Sequence, residues 1–121
     1  MIGVGTDLVE IERFRTALER TPGLKTRCFT DAEQAYAERR SDPVERYAAR
    51  FAAKEAVMKA LGVGLGACEF RDIEVLRAES GQPSVLLHDR AEALAVERGV
   101  TTWHLSLTHS DTAAHAIVVA D

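Results

Sequence analysis

From Val44 to Leu61 the chain has no glycine or proline and is dense in alanine, which commits this stretch to one long helix. Asp42-Pro43 supplies an N-cap followed by proline at the first helical position, and Gly62 suits the C-cap. At 3.6 residues per turn, Tyr47, Phe51, Met58 and Leu61 form one apolar stripe. Lys54 projects near the centre of that stripe, where an amphipathic helix carries an apolar side chain. Glu55 and Lys59 lie one turn apart on its flank, and Arg50 lies on the other flank. A core-facing helix edged in this way predicts a pocket wall built for a metal and for phosphates. The same residues also suit a solvated face. Glu at i with Lys at i+4 is the favourable orientation of a surface ion pair, and a lysine stem can cross apolar surface with its head in water.

The elements around this helix predict an α+β domain covering residues 1–121, with a mainly antiparallel sheet packed against the long helix and shorter ones. Residues 2–6 read as a short apolar strand with two glycines. A helix follows from about 8 to 20, burying Ile11, Phe14 and Leu18, and Pro22-Gly23 ends it. Thr30-Asp31-Ala32-Glu33 is a capping box that opens a second helix to about 39. Beyond Gly62, Gly64 and Gly66 keep the next loop open. A strand near 70–77, a Gly81-Gln82-Pro83 turn and a strand near 84–88 come next. A helix spans 89–98 and ends at Gly99. Strands at 102–108 and 113–120 are joined by the turn His109-Ser110-Asp111-Thr112.

At 121 residues, 46% hydrophobic and 28% charged, the chain can build a real core. Its net charge of -4 argues against bulk binding of nucleic acid, and no apolar run reaches membrane-spanning length. Met1-Ile2-Gly3-Val4-Gly5 lacks the pattern of a signal peptide, so the cytoplasm is the expected location. Cys28 and Cys68 fit no metal spacing and read as reduced, structural residues. His88 and His115 fall in no motif.

Two further segments carry chemistry. Asp7 ends the first strand. It fits an N-cap with Glu10 three residues on, and equally a Mg²⁺ ligand at a strand end facing a cleft, with Glu55 as a second carboxylate. In Trp103-His104-Leu105-Ser106-Leu107-Thr108-His109, alternation turns Trp103, Leu105 and Leu107 to the core. His104, Ser106 and Thr108 then share the other face, which suits phosphate or ribose contacts or an ordinary solvated sheet surface.

Taken together, these segments resemble the holo-acyl-carrier-protein synthases among the 4′-phosphopantetheinyl transferases. The resemblance rests on Gly3-Val4-Gly5-Thr6-Asp7, on Phe51-Ala52-Ala53-Lys54-Glu55-Ala56 with Lys59, on His104-Leu105-Ser106-Leu107-Thr108-His109, and on Phe29-Thr30 with Glu33. The motifs keep the family's order and spacing over nearly the whole chain. Thr108 replaces a serine of many relatives. Phe51 stands where longer transferases have tryptophan, which favours the short group.

The resemblance implies transfer of the 4′-phosphopantetheine group of coenzyme A to a serine of an acyl carrier protein, with release of adenosine 3′,5′-bisphosphate. It implies Asp7 and Glu55 as Mg²⁺ ligands and Lys59 on a pyrophosphate oxygen. Arg50, Lys54, Gly62, Gly64, His104, Ser106 and His109 join Lys59 as coenzyme A contacts. Arg50 and Lys54 are placed for phosphates or for supporting the carboxylates. Glu55, Lys59 and His104 are the catalytic candidates, with Glu55, a metal-bound water or His104 open as the general base. By resemblance to the short group, the chain is expected to be a homotrimer. Its sites would lie at protomer interfaces, with the 104–109 strand of one protomer facing Asp7 and Glu55 of its neighbour.

Acyl carrier proteins are acidic, so a mildly acidic partner needs a local basic patch. Arg13 and Arg20 project opposite Ile11, Phe14 and Leu18, and Arg15, Lys25 and Arg27 lie in the same acid-poor segment. The family places an arginine at the position of Arg13 against the carrier. Two other functions fit the same elements: a non-catalytic trimeric module binding coenzyme A or nucleotides, and a small interaction protein without ligand.

Overall fold

The computed structural model describes residues 1–121. Strand β1 (Gly3–Glu10) leads into helix α1 (Ile11–Arg20), a short helix α2 (Leu24–Cys28), α3 (Asp31–Ala37) and the long α4 (Val44–Leu61). A 3-10 turn (Phe70–Asp72), the hairpin β2 (Ile73–Arg77) and β3 (Pro83–Leu87), helix α5 (Asp89–Glu97) and strands β4 (Trp103–His109) and β5 (Ala113–Ala120) complete the chain. The fold is α+β, and every strand pairing is antiparallel. One sheet has the order β1-β5-β4; the other is the β2-β3 hairpin.

The three-stranded sheet has unlike faces. Ala114, Ala116, Val118 and Ala120 of the central strand are fully buried and point to α4, with Leu105, Leu107 and Trp103 beside them. These small residues let α4 lie close. Gly3 and Gly5 go further. A Cβ on Gly5 would come within 1.9 Å of the Ala56 carbonyl oxygen, and one on Gly3 within 2.0 Å of that of Ala60. Helix backbone therefore rests directly on strand backbone, and only glycine permits that approach. On the far side, Phe14, Phe29, Tyr47 and Phe51 build a second, aromatic core under α1 and α3.

Several boundaries differ from the sequence expectation for tertiary reasons. β1 runs to Glu10 rather than ending at 6, because β5 offers a partner along its full length, from Gly3↔Ala120 to Glu10↔Ala113. Asp7 is thus a strand residue and not an N-cap. α1 starts at Ile11, whose N–H donates to the Thr112 carbonyl at 2.9 Å in place of a side-chain cap. Pro43, not Asp42, occupies the N-cap of α4; the Asp42 carboxylate accepts from the Val44 N–H at 3.3 Å from one position earlier. α2 was not foreseen, and residues 70–72 turn before the strand begins. The Thr30–Glu33 capping box is present in both directions, and Gly62 closes α4 at φ 72° in the left-handed region. α4 is no simple stripe. The sheet, α1, α3 and β2 surround it, and Ala48, Ala52, Ala53, Ala56 and Ala60 are buried on several of its sides.

Candidate active site

The contact of α4 with β1 brings three of the predicted side chains together. Asp7 lies on the helix-facing side of the edge strand β1, and Lys59 Nζ donates to its Oδ1 at 3.1 Å and to the Thr6 carbonyl at 2.9 Å. Glu55, one turn before Lys59, lies beside Asp7. Burial and the Asp7 carboxylate push the Glu55 carboxyl up, and Lys59 offsets only part of that rise. Two acids share a half-buried spot served by a single cation. This donor set suits a divalent cation such as Mg²⁺, which takes one or two protein carboxylates and completes its shell with water and phosphate oxygens. No group of three or more His, Cys, Asp or Glu side chains converges as a protein-only metal cage. The loop after α4 adjoins this spot, where Glu55, Met58, Lys59, Val63, Gly64 and Leu65 line a cavity of about 130 Å³.

Lys54 does not belong to this site. It is 0% exposed, and its ammonium donates to Glu33 at 2.8 Å, to the Phe70 carbonyl at 3.0 Å and to the Ile73 carbonyl. Burial pushes the Lys54 ammonium down, and Glu33 pulls it back. Glu33 is equally enclosed and also accepts from the N–H groups of Thr30 and Val75, each at 2.9 Å. The expectation that Lys54 meets coenzyme A is therefore corrected: it is an internal strut tying α4 to α3 and β2.

Arg50 lies nearer the N-terminal end of α4, some 8 Å along the axis from Glu55 at 1.5 Å per residue. It is buried, and burial pushes its guanidinium down. Arg50 shares a cavity of about 290 Å³ with Arg46, Arg77, Thr108 and His109. His109 Nε2 stands 3.5 Å from Glu45. Arg46 and Arg77 were missed at the sequence level. The i, i+4 spacing of Arg46 and Arg50 on one helix was the available signal.

His104 and Ser106 alternate onto the outer face of β4, away from α4, with His104 Nε2 3.3 Å from Asp121. Asp7 points to the opposite face and lies two strands away, so a single chain does not bring His104 to Glu55. That outer face carries exposed Ile2, Val4, Leu8 and Ile117, with Leu8 63% exposed, and the pair Thr6–His115 at 2.6 Å.

Of the basic segment, Arg13 and Arg20 are exposed on α1 and make no ion pair. Arg15 is spent on Asp42 at 2.9 Å and Glu12 at 3.1 Å, and Lys25 on Glu38 at 3.2 Å. Both cysteines are free, and burial pushes their thiols up, as expected for structural residues. His88 pairs with Glu74 at 2.9 Å. The largest cavity, about 800 Å³, lies beside His88 and Arg27 and shares no residue with the acid pair. No helix is long and apolar enough to cross a membrane.

Residues 3–119 match the model of the 4′-phosphopantetheinyl transferase superfamily. The chain is 48% identical over 121 residues to the holo-[acyl-carrier-protein] synthase of Moorella thermoacetica, covering 100% of this chain and 94% of that one. It is 46% identical to that of Frankia alni, covering 100% and 98%. Among solved structures, the holo-[acyl-carrier-protein] synthase of Neisseria meningitidis superposes with a TM-score of 0.91 at 31% identity, covering 100% of this chain and 98% of that chain. The Helicobacter pylori synthase in complex with coenzyme A gives 0.86 at 27%, covering 98% and 99%. An acid pair fixed by a helix lying bare against a strand, and full-length likeness to these enzymes, place the chain in the 4′-phosphopantetheinyl transferase superfamily, among its holo-acyl-carrier-protein synthases.

Proposed function

We propose that this enzyme transfers the 4′-phosphopantetheine group of coenzyme A to a serine hydroxyl of an apo acyl carrier protein, depends on Mg²⁺, and releases adenosine 3′,5′-bisphosphate. The convergence of Asp7, Glu55 and Lys59 carries the reading. The serine oxygen forms a bond to the phosphorus next to pantetheine. The bond from that phosphorus to the bridging oxygen breaks, and the bridging oxygen leaves on the adenosine bisphosphate. Asp7 and Glu55 would hold the cation, which when bound supplies charge neutralisation to the diphosphate. Lys59 reaches across to Asp7 and is placed to meet the developing charge on the leaving oxygen. The serine proton has two candidate acceptors: Glu55, and His104 delivered from a neighbouring protomer. Arg50 and His109 suit the phosphate of the nucleotide end, and the Gly62–Gly64 turn admits the substrate close to backbone.

A homotrimer accounts for the outer sheet face. Val4 is 54% exposed, and Leu8, Ile2 and Ile117 lie beside it, an apolar patch that favours burial. A heterologous interface over it would carry His104 and Ser106 to the Asp7 edge of the next copy. The chain would work as one domain, in the cytoplasm, with Arg13 and Arg20 receiving the acidic carrier.

The deciding experiment is incubation with coenzyme A, Mg²⁺ and an apo carrier, read by mass spectrometry. A gain of one phosphopantetheine on the carrier is expected. Coenzyme A binding without transfer would show a non-catalytic binding module instead.

A further inference from the structure

Four arginines surround one phenol ring. Tyr36 stands half-buried on α3. The guanidinium carbons of Arg46 and Arg50 lie 4.1 and 4.3 Å from its centroid, and those of Arg77 and Arg39 lie 5.4 and 5.6 Å away. None of the four makes an ion pair with a carboxylate. Glu45, close by, is engaged with Arg40 and His109. Like charges gathered with no carboxylate in ion-pair contact repel, and Glu33 and Glu45 nearby offset only part of this, so something else helps to hold them. The negative face of the ring does this, helped by the Arg46 donation to the Tyr36 carbonyl at 2.8 Å. Arg77 is steered from the hairpin, where its guanidinium lies over Gly81, 3.1 Å from the place a Cβ would occupy. Arg50 is 5% exposed, yet its Nε has no hydrogen-bond partner. A buried N–H without a protein acceptor, in a cage of arginines free of ion pairs beside a cavity, suits an anion. Asp7, Glu55 and Lys59 line none of that cavity.

We propose that Tyr36 is a positioning residue that fixes this arginine cage, and that it thereby sets the preference for a donor carrying a phosphate monoester remote from the diphosphate that reacts. The inference rests on the proposed transfer from coenzyme A. The donor's diphosphate is taken at the acid pair. Its ribose phosphomonoester, with close to two negative charges, matches a cluster of guanidiniums free of ion pairs and able to bind bidentately. Tyr36 touches neither phosphate. It holds Arg46 and Arg50 in one geometry before the donor arrives, so their ordering is not charged against binding. Without the ring the guanidiniums would separate.

The test is steady-state transfer from coenzyme A and from 3′-dephospho-coenzyme A by the wild type, Tyr36→Leu and Tyr36→Phe. Loss of two close ring contacts should raise the KM of Tyr36→Leu for coenzyme A about tenfold, with kcat changed less than about twofold. The advantage of coenzyme A over the dephospho donor in kcat/KM should shrink by the same factor. Tyr36→Phe keeps the ring and should keep the advantage. Arg77→Ala, on the hairpin and outside the α3–α4 packing, should also reduce it, which covers the case in which Tyr36→Leu fails to fold. Equal losses with both donors, or an Arg77→Ala protein with the full wild-type advantage, would overturn the assignment to Tyr36. A wild type that modifies the carrier with neither donor would overturn the proposed function itself.

Discussion

Replacing Lys54 by methionine separates an internal strut from a substrate contact. Methionine matches the lysine stem in length but removes the ammonium. Glu33, 0% exposed, would then keep two N–H donors and lose its only cation, and the carbonyls of Phe70 and Ile73 would lose their shared donor. Removing one partner of a buried ion pair costs about 3–5 kcal/mol. The Phe70 carbonyl would keep the Ile73 N–H, while loss of the ammonium at the Ile73 carbonyl adds a cost of at most about 1–3 kcal/mol, which relaxation makes overlap with the first rather than add. For a chain of this length the unfolding entropy near Tm is about 0.25 kcal/mol per degree, so Tm should fall by roughly 12–20 °C. Urea unfolding of the wild type, Lys54→Met, Glu33→Gln and the double variant should give a lower midpoint at unchanged slope, with the double loss well short of the sum of the single losses. At a temperature where Lys54→Met is folded, its KM for coenzyme A should stay within about threefold of the wild type. A stability loss under about 1 kcal/mol together with a KM raised about tenfold would refute this reasoning and return Lys54 to the substrate.

Gly5→Ala should be more damaging than an exposed Gly→Ala change. Its Cβ lands 1.9 Å from the Ala56 carbonyl oxygen and must push α4 off the strand, so we expect a loss of about 3 kcal/mol by denaturation and a drop in kcat. Glu55 has a raised folded-state pKa relative to its ordinary 4.5, so the metal-free folded protein binds its proton more tightly than the unfolded chain. Stability should therefore fall as pH rises from about 4.5 through the folded value and stay lower above it; Tm against pH should lose that slope in Glu55→Gln, and an unchanged slope would exclude Glu55 as its source. If the proposed homotrimer closes over the exposed apolar patch, Leu8→Glu should shift sedimentation from trimer to monomer, with loss of transfer, and a wild type that sediments as a monomer would refute the trimer. Arg13→Glu should weaken carrier binding, and salt should weaken that of the wild type; unchanged carrier affinity in the variant would exclude this arginine from the interface.

Much of this molecule can be read from local sequence signals, and the misreadings share a cause. The Thr30–Glu33 box, the Gly62 cap and the alternation of β4 depend on residues a few positions apart, and all appear where expected. The length of β1 depends on β5, more than a hundred residues later, and local propensity at Asp7 pointed instead to a cap. Lys54 looked misplaced on an apolar stripe because its partner Glu33 lies on another helix, where periodicity cannot place it. The basic segment at 13–27 looked like one patch, but Asp42 and Glu38, outside that window, neutralise Arg15 and Lys25. The cage around Tyr36 draws on two helices and a hairpin, so only the folded chain reveals it.

The bare contact of α4 with β1 has a mechanical meaning. A joint between two backbones has no rotamers to re-sort and no void to close, so it behaves as a hard stop. The spacing of the backbones that carry Asp7 and Glu55 is then gauged by touching atoms. Hydrostatic pressure or cooling should soften the aromatic core around Phe14 and Tyr47 long before it alters the gap between the two acids.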